Sequence, residues 1–127
     1  LAGCCRIKFK IINSEEKQII NSKYGTPTVA KEGAKFVVID LELTNTTDTP
    51  FNFSNSDGFA IFDDKERLFA EYEYVIGSVD NYLAQRTLSP DITERGVFVY
   101  EIPQDAKSYS LTIGKAGTNE AYEVLLK

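Results

Sequence analysis

The side chains able to do chemistry here are carboxylates, amines, phenols, hydroxyls and two thiols, because the 127-residue chain has no histidine. That absence removes Ser-His-Asp and Cys-His machinery and takes away the commonest zinc ligand. Asp57, Asp63, Asp64 and Glu66 gather around one turn, and calcium prefers such oxygen ligands. Their spacing is not that of an EF-hand loop, which needs acids at alternate positions and a glycine at the sixth. Turn acids on a solvated hairpin are the expectation, so no metal, cofactor or catalytic residue is assigned. Ser14, Ser56, Ser78 and Ser89 lie in turn-rich sequence, and a Ser-Lys dyad stays open as chemistry without histidine. Asn45-Thr46-Thr47 and Asn52-Phe53-Ser54 fit the glycosylation sequon, but in a bacterial protein they read as turn and strand residues.

Phe69, Tyr72, Tyr74 and Tyr82 collect near the least periodic part of the chain, residues 76–88. A tyrosine at a surface combines flat apolar area with a hydroxyl and makes a good interface anchor. Tyr72 and Tyr74 share their parity with Leu68, so a strand turns them either to the core or to a partner. Tyr82 is the one expected at the surface. Tyr82, Asn81 and Tyr74 therefore form the candidate partner surface, and 81–85 has room for one helical turn.

The two thiols are adjacent, Cys4 and Cys5, and cannot join distant strands to each other. Leu1-Ala2-Gly3-Cys4 resembles a bacterial lipobox, the end of a lipoprotein signal peptide. Small residues there let a peptidase reach the backbone, and the thiol of Cys4 would accept diacylglycerol. More than one acyl chain gives stable anchoring where one does not. With no methionine in the chain, a leader is expected ahead of Leu1. Read without the motif, residues 1–5 are an ordinary strand-like start. Cys5 is given no role.

The elements that position these residues are strands. Residues 32–45, EGAKFVVIDLELTN, alternate Val37, Ile39, Leu41 and Leu43 with Asp40, Glu42 and Thr44. A period of two with one apolar face is the pattern of a half-buried strand. Residues 6–12 repeat it with Ile7, Phe9 and Ile11, and 13–16 then read as a turn. Further strands are expected at 17–22, 51–54, 59–62, 67–75, 92–102, 109–113 and 121–126. Gly96, in the middle of one, signals a bulge or close packing. Turn signals separate these runs, as in a two-sheet antiparallel sandwich.

Composition bounds the rest. The length suits one core, and 43% apolar with 26% charged residues is ordinary for a globular domain. No apolar run approaches the ~20 residues of a membrane helix. A net charge of -5 argues against nucleic acid as a partner. The expected division is a lipobox-like 1–5 followed by a single domain, 6–127.

Three blocks carry a family resemblance. They are residues 31–40, KEGAKFVVID, running into Leu43-Thr44-Asn45-Thr46-Thr47; then Phe59-Ala60-Ile61-Phe62-Asp63-Asp64; then Leu88-Ser89-Pro90 with residues 96–106, GVFVYEIPQDA. Together they resemble the telokin-like, immunoglobulin-like domain of unknown function of secreted bacterial proteins and lipoproteins, a fold related to that of a mycobacterial immunoprotective secreted antigen. The chain departs where the family often has a glycine after the hairpin aspartates, since Lys65 and Glu66 stand there. Residues 76–88 are a second departure. The resemblance implies an all-β, immunoglobulin-like antiparallel β-sandwich of about seven to nine strands on the outer side of a membrane, with no catalytic residues to carry over.

The expectation is a non-catalytic binding module of a lipid-anchored extracytoplasmic bacterial protein. Its partner would be a protein or small ligand at the cell envelope. The rivals are a small-ligand or calcium-binding envelope protein and a hydrolase that works without histidine.

Overall fold

The structure is a computed structural model that describes residues 2–4, 7–22, 25–54, 59–72, 82–83, 85–114 and 121–127. The strands are β1 Ala2–Cys4, β2 Ile7–Lys17, β3 Ile19–Ile20, β4 Thr28–Val29, β5 Ala34–Asn45, β6 Phe51–Ser54, β7 Phe59–Asp63, β8 Leu68–Phe69, β9 Gln85–Leu88, β10 Thr93–Pro103, β11 Tyr109–Gly114 and β12 Ala121–Leu125. Eight of them build two four-stranded sheets, β1-β2-β5-β10 and β12-β11-β7-β8. The pairs β3-β4 and β6-β9 stand apart from these sheets. Every pairing between these strands is antiparallel.

The expected sandwich is present, and β5 is its central element. Val37, Ile39, Leu41 and Leu43 are fully buried, and they meet Phe9 from β2 and Phe98 from β10. Phe59 and Ile61 of β7 and Leu111 and Ile113 of β11 close the core from the second sheet. Phe59 links the layers, its ring centroid 5.7 Å from Phe9 and 5.1 Å from Phe98. Burying each such side chain contributes roughly 1.5–3 kcal/mol. At the edges β1 lies against β12 and β8 against β10, so the layers nearly meet on both sides.

Three expectations change. First, 13–16 is not a turn. β2 runs on to Lys17, past a break in register between Ile11 and Asn13. Ile12 is the extra residue of this β-bulge, and it reverses the parity of the residues beyond it. Ile7, Phe9 and Ile11 face the core before it; Ser14 and Glu16, opposite Ile39 and Val37, face inward after it. Second, the described part of 67–75, residues 67–72, is not one strand, and 73–75 lie outside the described residues. Leu68 and Phe69 pair with β7, and Glu71 then bridges Tyr100, so the chain crosses from one sheet to the other at Ala70. Third, the strand expected at 17–22 is shorter: Lys17 ends β2 opposite Phe36, and Ile19 and Ile20 pair with Thr28–Val29.

The outer face of β5 is also drier than its alternation implies. Phe36 is fully buried there, with Val99 beside it. Ile20 and Ala30 cover both, and Val38, Tyr72, Tyr82 and Val97 pack alongside. Asp40, Glu42 and Thr44, further along, stay at the surface side and pair with neighbours such as Arg95 and Thr93.

Candidate functional site

The irregular insert is held at both ends by the free edge of β10. The Tyr72 amide donates to the Val99 carbonyl at 2.8 Å, and the Leu83 amide donates to the Val97 carbonyl at 3.0 Å. Tyr82 bridges Val97 in parallel. Tyr82 bridges β10 and 85–88 is strand, so the described residues of 81–85 hold no helical turn; 81 and 84 lie outside them. Gly96 explains why the second anchor fits. A Cβ there would sit 2.8 Å from Leu83 Cβ, so the close packing anticipated for this glycine is with a fully buried leucine of the insert.

Tyr72 and Tyr82 form a ledge on the outer face. The Tyr72 ring meets Phe36 edge-on at 5.2 Å. The Tyr82 hydroxyl donates to the Tyr72 carbonyl at 3.3 Å. Both tyrosines are half-buried, so Tyr82 is pinned by its hydroxyl and its backbone rather than projecting freely. Tyr74 and Asn81, the other two members of the candidate partner surface, lie outside the described residues.

Behind the ledge, the bridge from Glu71 to Tyr100 turns both side chains toward the core. The Glu71 carboxylate oxygens and the Tyr100 hydroxyl are buried, and that hydroxyl has no hydrogen-bond partner among the described residues. Burial, then the charge of Glu71 and the nearby Tyr82, push the Tyr100 phenol well above its ordinary range. A phenol held neutral and shut away from water is no general base at neutral pH.

A second polar group closes one end of the sandwich. Lys35 is 5% exposed, and its ammonium lies 3.0 Å from Glu16 and 2.9 Å from the Ala106 carbonyl. The Tyr109 hydroxyl donates to Glu16 Oε2 at 2.7 Å, and Lys127 reaches the same oxygen at 3.2 Å. Burial would raise the Glu16 carboxyl, but the hydrogen bonds from Tyr109, Lys35 and Lys127 outweigh it and hold it at about 2. Tyr109 is pushed up by burial and by its bond to Glu16. The group sets two ammoniums against one carboxylate, and it ties the C-terminal residues to both sheets, to β11 through backbone bonds between Tyr109 and residues 126–127 and to β2 through the Lys127–Glu16 pair. Nothing in the alternation of the sequence pairs Glu16 with Lys35; the bulge at Ile12 does so.

The acidic hairpin is occupied by its own chain. Asp63 accepts the Lys65 and Arg67 amides at 3.1 and 2.8 Å, and the Arg67 guanidinium at 2.8 Å. Arg67 and Lys65 also hold Asp105. Asp64 accepts the Lys107 amide at 3.2 Å. Hydrogen bonds from Arg67 and Lys65 lower Asp105 to about 2. Asp63 and Asp105 already have cations, and no group of three or more metal-ligating side chains occurs among the described residues. Asp57 lies outside them.

Two further candidates resolve structurally. Ser14 and Lys17 have a Ser-x-x-Lys spacing, but on a strand it puts them on opposite faces, and Lys17 pairs with Glu15 instead. Asn45 is fully buried, with its amide nitrogen donating to the Thr49 and Leu88 carbonyls and its oxygen accepting from Thr47. It clamps the turn after β5 and leaves its sequon inaccessible. Cys4 is the last residue of β1, opposite Ile7. Among the described residues no helix is long and apolar enough to cross a membrane.

Comparison with known proteins adds a family and a fold. Residues 6–122 match the domain of unknown function DUF4352. No curated protein matches the chain. Among solved structures, the yjhA protein from Bacillus subtilis is similar at a TM-score of 0.73 and 15% identity, over 99% of this chain and 95% of that one. A conserved hypothetical protein from Bacillus anthracis is similar at 0.68 and 16% identity, over 96% and 88%. A Bacillus subtilis protein described as a "putative lipoprotein (ycdA)" is similar at 0.67 and 14% identity; 98% of this chain covers 38% of that one. At such identities the likeness is one of fold.

Proposed function

This chain belongs to the DUF4352 family, and from that premise we propose that it is a non-catalytic interaction module held on the outer side of a bacterial membrane by lipid on Cys4. The observation that carries the reading is the Leu-Ala-Gly-Cys motif, which ends two residues before the family domain starts at residue 6. The lipoprotein description of one structural neighbour supports an envelope location. The telokin-like and mycobacterial-antigen kinship is part of the same reading.

Binding is favoured over catalysis by how the ionisable groups are used. Glu16 is engaged with Lys35, and Asp63 and Asp105 share Arg67. A hydrolase without histidine would need such groups free in a cleft. The calcium alternative meets the same obstacle at Asp63, which already holds Arg67. The partner, a protein or a small ligand at the envelope, would meet the loop side of the sandwich around Tyr82, Asn81 and Tyr74.

The test is fractionation of the protein expressed with a leader in a bacterial host. The native chain is expected in the membrane fraction, with diacylglyceryl mass on the peptide that starts at Cys4, and Cys4→Ser is expected to be released. An unmodified Cys4, or a variant that stays equally membrane-bound, would sink the anchor. Replacing Tyr82 by alanine is expected to weaken capture of an envelope partner while leaving the fold intact.

A further inference from the structure

We propose, resting on the lipid-anchor reading of Cys4, that this domain lies directly on the lipid headgroups, with the pole formed by 46–50 and 89–92 against the bilayer. Its opposite pole, around Gly33 and Gln104, then points outward. The argument begins with the absence of slack. β2 starts at Ile7, only three residues after Cys4. Three residues reach at most about 11 Å even fully extended. Ile7 pairs with Asn45 of β5 at a strand spacing of about 4.8 Å, so Cys4 lies within about 16 Å of Asn45.

Asn45 fixes which end of the molecule this is. It is the last residue of β5, it bridges Pro90, and its carbonyl accepts the Asp91 amide at 3.0 Å. The anchor point, the turn after β5 and the connection into β10 therefore share one pole. An acyl-bearing Cys4 at the interface brings that pole with it, because no linker lifts the domain away.

The side chains there suit a headgroup layer. Residues 46–50 and 89–92 contain no Lys or Arg. They offer the exposed hydroxyl side chains of Thr46, Thr49 and Ser89, with Ile92 54% exposed. Asp48 and Asp91 give no attraction to anionic lipid, so the contact is made by the covalent anchor and not by charge. Twelve residues of β5, at about 3.4 Å each, put the far pole roughly 35–40 Å away. That far pole carries the ion-paired Lys65, Arg67 and Asp105, so a soluble partner arriving from outside meets this charged end first.

The experiment places a fluorophore on Ile92→Cys or on Glu32→Cys, each in a Cys5→Ser background, in lipidated protein reconstituted into phosphatidylcholine vesicles. Headgroup-linked nitroxide lipids act as the quencher. Ile92 and Glu32 are both exposed, so neither change touches the core. Quenching at position 92 several-fold stronger than at position 32 is the expected result. Equal quenching, or stronger quenching at 32, overturns the orientation while leaving the anchor standing. The mass of the Cys4 peptide is measured on the same samples, and absence of the acyl groups overturns the anchor reading and the orientation with it.

Discussion

Glu16 carries a pH dependence whose sign is set by its partners. Its carboxyl falls from the ordinary 4.5 to about 2 in the fold, against the raising effect of burial, because Tyr109, Lys35 and Lys127 bond to the charged form. A folded pKa below the unfolded one contributes stability that is present above about 4.5 and is lost as pH falls toward 2. Urea midpoints measured from pH 7 to pH 2 should therefore decline over that window. Glu16→Gln should be less stable at pH 7 and show a shallower decline, and an unchanged slope would refute this account. Glu66 makes a second residue-scale case. It sits at φ 59°, the left-handed region, in the hairpin after β7. That conformation costs a non-glycine residue roughly 1–2 kcal/mol. Glu66→Gly should accordingly raise the stability by up to about 1 kcal/mol in the same assay, the gain being reduced by the entropy of glycine in the unfolded chain.

Among the elements, the β10 edge shows how far alternation can be read and where it stops. Gly96 stands out as a strand glycine, and the close packing it signals is visible in the sequence. Its partner, Leu83, is not, because nothing local ties an irregular insert to one edge. Gly96→Ala should cost about 1–3 kcal/mol by overpacking against Leu83. Removing the facing Cβ with Leu83→Gly should make the two changes strongly non-additive in thermal or urea unfolding. Simple additivity would mean that the insert is not held at this point. β2 teaches the same lesson from the opposite side. Residues 13–16 read as a turn because their composition is polar, yet they continue the strand. The bulge at Ile12 turns Glu16 inward, where Lys35 and Tyr109 receive it.

For the whole molecule, the order of the sheets sets the folding behaviour. β5 pairs with β2 and with β10, and the partner of Leu43 in β10 is Glu94. Closing a loop of that length precedes any reward from the contact, which slows folding. Stopped-flow refolding is expected on the millisecond-to-second scale, and a microsecond phase accounting for the full amplitude would contradict it. The sequence by itself determined that the chain is a sandwich of short strands and that Val37, Ile39, Leu41 and Leu43 face the core. Those features are local, since a period of two needs only neighbouring residues to declare itself. Tertiary structure alone decided that Phe36 and Val99 are buried on the outer face, that Asp63 is held by Arg67 and Glu16 by Lys35, and that Tyr82 is pinned beside Val97. Each of those outcomes depends on a partner brought in by strand register, a bulge or a sheet crossing, and hydrophobic alternation is blind to all three.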